Sequence, residues 1–162
     1  GPEGMNTAVL RREGFIRALN EAGLDASTIY TEGFGFDAGE QAATTILSRS
    51  LPDAILTATD DCASGLMMTL RAASIDVPGQ VSVAGVDDSR LASLFDLTTV
   101  KIPKYELGVV AARRFLEAGE EPPQSTILPH KIVARRSTSF RRPDPERREP
   151  PRRGRPLRDT PA

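Results

Sequence analysis

The stretch VSVAGVDD, Val81 to Asp88, runs from a β-rich apolar segment straight into two adjacent carboxylates. A short, continuous apolar run bounded by turn and acidic residues reads as a strand buried on both faces. Upstream, DAILTAT (Asp53 to Thr59) has the same character and also ends on paired acids, Asp60 and Asp61. Downstream, LTTVKIP is a third such run. Between and around them lie helical patterns: NTAVLRREGFIRALNEAG, DAGEQAATTILSR, DDCASGLMMTLRAAS and KYELGVVAARRFLEAGEE. Asn6 or Thr7 can cap the first helix, its apolar face is Phe15, Ile16, Leu19 and Ala22, and Gly23 sits where a helix stops. Asp37 and Glu40 have capping-box spacing for the second, with Ala43, Ile46 and Leu47 facing inward. TIYTE (Thr28 to Glu32), STILP and KIVARRST are shorter β-rich runs.

Helix and strand alternate, which predicts an α/β fold with a parallel, doubly wound sheet covered on both faces. Such sheets bind ligands outside the carboxyl ends of their strands, and here those ends carry Asp60, Asp61, Asp87, Asp88 and Lys101. The chain begins on a helix rather than a strand. From about Phe140 the composition changes to FRRPDPERREPPRRGRPLRDTPA, which is rich in proline and arginine and has little to bury. The change predicts one ordinary domain over residues 1–139 and a disordered tail over 140–162.

The composition narrows the classes. The formal net charge is −1, but residues 141–162 carry a surplus of +4 against −5 for the remainder. Neither wholesale nucleic-acid binding nor an acidic solvating chain follows. Cys62 stands alone, so no intrachain disulfide can form and a reducing compartment is the simpler reading. No apolar run reaches the roughly 18 residues of a membrane span, and the N-terminus has no signal-like apolar core. A cytoplasmic protein without membrane contact is expected.

Three chemistries compete for the acids. Catalytic acids need a partner nucleophile or activated water. His130 lies between two β-runs, and Cys62, although in the first turn of a helix, has no identifiable base. A magnesium pocket would need the acids in a different order along the strands, and no metal or cofactor is expected. The acids at residues 60 and 61 also suit a helix N-terminus, where they complement its dipole and cap free N–H groups. The glycine cluster EGFGFDAG departs from dinucleotide-loop spacing and reads as a turn. Recognition of a hydroxyl-rich neutral ligand remains: a carboxylate accepts from hydroxyls, an Arg clamps them, and Phe34 or Phe36 covers the apolar face. Such a site rejects analogues that leave its polar groups unpaired.

The run PDAILTATDDCASGLMMTLRAASIDVPGQVSVAGVDDSRLASLFDLTTVKIPKYELG resembles the LacI/GalR family of bacterial transcriptional regulators in their effector-binding core. The resemblance covers about Gly1 to Thr138, and its VP…VSV.G.DD element is its most specific part. It implies the C-terminal lobe of a periplasmic-binding-protein-like sensor, with the helix over about 104–118 belonging to the other lobe and leaving an exposed apolar patch. It further implies a truncated chain that lacks the helix-turn-helix, a homodimer, operator DNA as the partner of the parent protein, and a sugar-like effector. Carried over position by position, the effector contacts are Arg11, Phe34, Thr59, Asp87 and Ile102, with Asp60 and Asp88 supporting the turn or cap. Thr59 replaces the family's usual Asn and Ile102 its usual Gln, so a less hydroxylated or partly apolar effector is implied. The alternatives are a sugar-binding module of a transporter, or a small α/β enzyme with acidic pairs at its strand ends. Separately, Arg153, Gly154, Arg155 and Pro156 resemble an AT-hook core, which lies extended in a narrow A·T minor groove.

Overall fold

The computed structural model describes residues 1–2, 4–24, 31, 33–117 and 125–139. Its elements in order are α1 (Asn6–Glu21), α2 (Phe36–Leu47), β1 (Ala54–Leu56), α3 (Asp60–Ala72), β2 (Ser82–Asp87), α4 (Arg90–Leu94), β3 (Thr98–Lys101), α5 (Lys104–Glu117) and β4 (Lys131–Val133). The four strands form one sheet in the order β1-β2-β3-β4. The first three are parallel and β4 is antiparallel to β3. The expected α/β architecture with a mainly parallel sheet is present.

The core fills one face of the sheet. In register, Ile55 pairs with Val83 and Gly85 with Thr99, and this face meets Leu66 and Leu70 of α3, Ala92 of α4, and Leu97. The opposite face carries Leu56 beside Ala84, and Val86 beside Val100 and Ile132. These residues are half-buried or exposed, Ile132 by 73%. Cover on both faces is therefore not found among the described residues, because α2, α3 and α4 share one side while α1 and α5 bury no residue. The strand expected over Asp53–Thr59 is likewise shorter, three residues, and not fully buried: among the described residues β1 lies at the edge of the sheet, with Leu56 42% exposed.

Local details follow from hydrogen-bond supply. Gly23 ends α1 at φ +69, with Leu24 N–H returning to Leu19 O at 2.9 Å and Gly23 N–H to Asn20 O at 3.0 Å, the paired bonds of a Schellman turn. Neither Asn6 nor Thr7 caps α1, whose N-cap is Met5; nor do Asp37 and Glu40 form a capping box, because the N-cap of α2 lies two residues earlier, at Gly35. Leu47 turns outward, while Ala38, Gly39, Ala42, Ala43 and Ile46 are buried. STILP forms no strand, and TIYTE falls almost wholly outside the described residues. No described helix is long and apolar enough to cross a membrane.

Helices α2 and α3 touch backbone to backbone. A Cβ on Gly39 would sit 2.0 Å from Cys62 O, and one on Gly65 2.0 Å from Phe36 O. Two glycines thus let each helix enter the other's surface, which brings the Phe34–Phe36 loop to the start of α3. Gly65→Ala is expected to lower the urea-unfolding free energy by about 1–3 kcal/mol, the usual cost of overpacking a tight contact. Gly14→Ala, where a Cβ meets nothing within 4 Å, is expected to be neutral or stabilising in the same measurement.

Candidate functional site

The carboxyl ends of β1, β2 and β3 form one rim. At its centre β2 ends in Asp87 and Asp88, which adopt φ +125 and +52. Backbone in this region costs a non-glycine residue on the order of 1–3 kcal/mol, and such strain concentrates at functional sites. Asp87 pairs with Lys104 Nζ at 3.3 Å; its side chain is 22% exposed and that of Lys104 is 61% exposed. Asp88 is held more tightly. Its Oδ1 accepts from Arg135 Nη2 at 2.7 Å and its Oδ2 lies 3.4 Å from Lys101 Nζ. The hydrogen bond from Arg135, helped by the charges of Arg135 and Lys101, holds the Asp88 carboxyl below the ordinary carboxylate value, against a smaller opposing effect of burial.

Beneath the pair lies Asp60, the first residue of α3 and fully buried. Its Oδ1 accepts from Thr99 Oγ1 at 2.5 Å and its Oδ2 from Ser89 N–H at 2.7 Å. Thr99 in turn accepts from Asp88 N–H at 3.3 Å. Asp60 therefore ties α3 to β3 and to the turn after β2. The cap of α3 is Thr59, whose Oγ1 accepts from Cys62 N–H at 3.2 Å. Gly85 leaves room for this carboxylate: a Cβ there would lie 2.4 Å from Asp60 Oδ1.

The other sequence-derived positions fall around the rim. Arg11, on α1, donates from Nη1 to Ala58 O at 2.5 Å, at the end of β1. Ala58 follows the β1 residues that pair with β2, so the guanidinium is anchored one strand over from Asp87. Phe34 is half-buried, and its carbonyl accepts from Thr59 Oγ1 at 2.5 Å. The Thr59 hydroxyl is thereby committed on both its donor and acceptor sides, to the Phe34 loop and to its own helix. Ile102 is half-buried just past β3, and its carbonyl accepts from Lys104 N–H at 2.8 Å. Arg11, Asp87 and Ile102 thus follow or face three neighbouring strand ends. Arg153, Gly154, Arg155 and Pro156 lie outside the described residues.

Several groups stand apart. Cys62 is buried, and that burial raises its thiol pKa despite its place in the first turn of a helix. His130 is exposed. Among the described residues no group of three His, Cys, Asp or Glu side chains is arranged to hold a metal. A cavity of about 520 Å³ lies away from the aspartate pair. It is a groove between α1 and β1, lined by Val9, Arg11, Phe15 and Leu19 on one side and by Ala42 and Leu66 on the other. Lys104 and Arg135 were not singled out from the sequence. Both lie far along the chain from the aspartate pair, and only the folded sheet brings Lys104 to Asp87 and Arg135 to Asp88.

Two outcomes follow from these bonds. Asp60→Ala strands the Ser89 N–H and the Thr99 hydroxyl, each at a cost of about 1–3 kcal/mol, so a clear loss of urea stability is expected. A carboxyl whose pKa is lowered by folding binds protons more readily when unfolded, so its contribution is complete above the unfolded value and is lost as pH falls through the lower folded one. Wild-type stability should therefore fall as pH drops below the ordinary carboxylate value of 3.8. Arg135→Gln should flatten that fall in acid urea titrations.

Comparison with known proteins gives one consistent answer. The family of periplasmic binding protein-like domains matches residues 1–138. The ribose operon repressor of Escherichia coli K12 is 40% identical over 116 residues, covering 68% of this chain and 35% of the repressor. Catabolite control protein A of Priestia megaterium is 34% identical over 134 residues, covering 78% and 40%. The chain spans less than half the length of these curated relatives. Among solved structures, the lac repressor dimer bound to operator and the anti-inducer ONPF superposes with a TM-score of 0.80 at 27% identity, over 85% of this chain and 50% of that one. A complex of the transcriptional regulator CelR with cellobiose gives 0.74 at 29%, over 85% and 44%.

Proposed function

This chain belongs to the periplasmic binding protein-like domain family, within the sensor core of the LacI/GalR regulators, and we propose that in its parent protein it senses a small sugar-like effector and couples that binding to operator affinity. The observation that carries the reading is Asp87: a strained carboxylate at the crest of the central parallel pair, half-buried, with a single exposed ammonium as its partner. Such an acid can accept from ligand hydroxyls without unmaking the fold. Arg11 keeps donors beyond the one given to Ala58 O, so it can grip the ligand from the side. Phe34 offers an apolar face and Ile102 an apolar contact. Thr59 acts indirectly, by holding the Phe34 loop.

In this reading the effector sits between this lobe and a second one. Its binding favours one lobe arrangement, which sets the spacing of paired DNA-reading helices in a homodimer; effector and operator affinities are then reciprocally linked. The relatives named are transcriptional regulators rather than enzymes, and the parent is read as a cytoplasmic regulator with no catalytic step. Asp60 and Asp88 hold the floor of the site, their carboxylates already occupied.

The test is a titration of the isotope-labelled chain with D-ribose and with cellobiose, followed by amide shifts. Weak, saturable shifts are expected at Arg11, Asp87 and Ile102, in the millimolar range because one lobe supplies only part of the contacts. Asp87→Asn is expected to weaken binding about tenfold, since a hydrogen bond to a charged group is worth about 1.5–3 kcal/mol. Micromolar binding by this chain alone would contradict the two-lobe site, and shifts confined to the α1–β1 groove would move the effector away from the aspartates.

A further inference from the structure

We propose that Arg135 is a positioning residue for the carboxylate of Asp87, acting through Asp88; the inference rests on Asp87 being the effector contact. The clamp is built from parts of the chain that meet only in the fold. Arg135 donates from Nη2 to Asp88 Oδ1 at 2.7 Å and from Nη1 to Leu97 O at 2.8 Å. Its backbone N–H donates to Thr98 Oγ1 at 2.8 Å. Both ends of the residue are thus fixed to the start of β3. The side chains of Asp88 and Arg135 are only 14% and 18% exposed.

Anchorage continues on either side. Ser137 lies between the first residues of β2 and β3: its Oγ donates to Val83 O at 2.6 Å and accepts from Thr98 N–H at 2.8 Å, while its carbonyl accepts from Val83 N–H at 2.8 Å. The neighbouring Arg136 instead turns outward to Asp96. The strap that carries Arg135 is therefore rigid relative to β2 and β3.

Two consecutive non-glycine residues at positive φ need an external restraint. Among the described residues Asp87 is paired with the exposed Lys104, and exposed pairs contribute little. Asp88 has a charge-assisted, largely shielded bond, of the stronger kind. With Val86 fixed in β2, Ser89 N–H fixed on Asp60 and Asp88 clamped at φ +52, Asp87 is left to close the chain at φ +125. Removing the Arg135 fork frees Asp88 to relax, and the direction of the Asp87 side chain changes with it.

The test reads the backbone of Asp87 in the intact 162-residue chain, without sugar, through its three-bond HN–Hα coupling. That coupling is small at φ near +125 and large in extended strand. In Arg135→Gln it is expected to rise several-fold while α3 amide shifts stay at wild-type values. Arg135→Lys, which keeps the cation but not the fork, is expected to fall between the two; it also serves if the glutamine variant does not fold. Adding Asp88→Gly to Arg135→Gln should restore the small coupling, because glycine holds a left-handed φ without a clamp. An unchanged Asp87 coupling in either single variant overturns the proposal, as does failure of the glycine rescue in a folded double variant. Since sugar is absent, a wrong effector assignment would appear only in the titration above and leave this outcome readable.

Discussion

The rim of this sheet stands on one buried carboxylate. Asp60 is fully enclosed at the start of α3, and it spends its two oxygens on two other elements: the β3 hydroxyl of Thr99 and the Ser89 N–H beyond β2. A buried charge is tolerated only when its hydrogen bonds are made, so the carboxylate dictates where β3 and the β2 turn must lie. It also dictates glycine at position 85, because the space a side chain would use is already filled. The Asp87–Asp88 conformation rises from this floor.

Above it the two aspartates divide the work. Asp88 is turned into the protein, shared by Arg135 and Lys101, and shielded from water. Asp87 is turned to the rim, with a mobile-stemmed lysine as its partner. Adjacent acids of like charge would repel each other if left alone; three cations from β3, α5 and the terminal strap absorb that repulsion. Lys104 begins α5 and Arg135 follows β4, so the segments that lead into α5 and back from it both end on the aspartate pair. Helix α5 itself buries no residue here, and Tyr105, Phe115 and Leu116 are 80%, 82% and 82% exposed.

What could be read in advance depended on range. The strands over residues 82–87 and 98–101, the helix behind Asp60 and the stop at Gly23 were legible because local pattern and backbone demand coincide there. The same local logic misjudged Asp53–Thr59, whose apolar run lies at the edge of the sheet among the described residues and is not fully buried, since burial depends on neighbours and not on composition. The capping box at Asp37 and Glu40 failed because α2 is capped two residues earlier, at Gly35, which puts Asp37 inside the first turn.

The sequence by itself determined the alternation of helix and strand, the parallel sheet that follows from it, and the acids at the strand ends, because periodicity and turn chemistry are properties of contiguous residues. Only the tertiary structure decided which acid faces water and which is consumed internally. Thr59, a candidate contact by position, caps its own helix through Cys62 N–H and ties in the Phe34 loop, and Asp60 is a pillar; the Phe34, Thr99 and Ser89 partners are supplied by other segments. Arg135 reaches Asp88 across 47 residues of chain. No local pattern encodes such a pairing; it exists because closing the sheet brings the two ends of the chain's order to one rim.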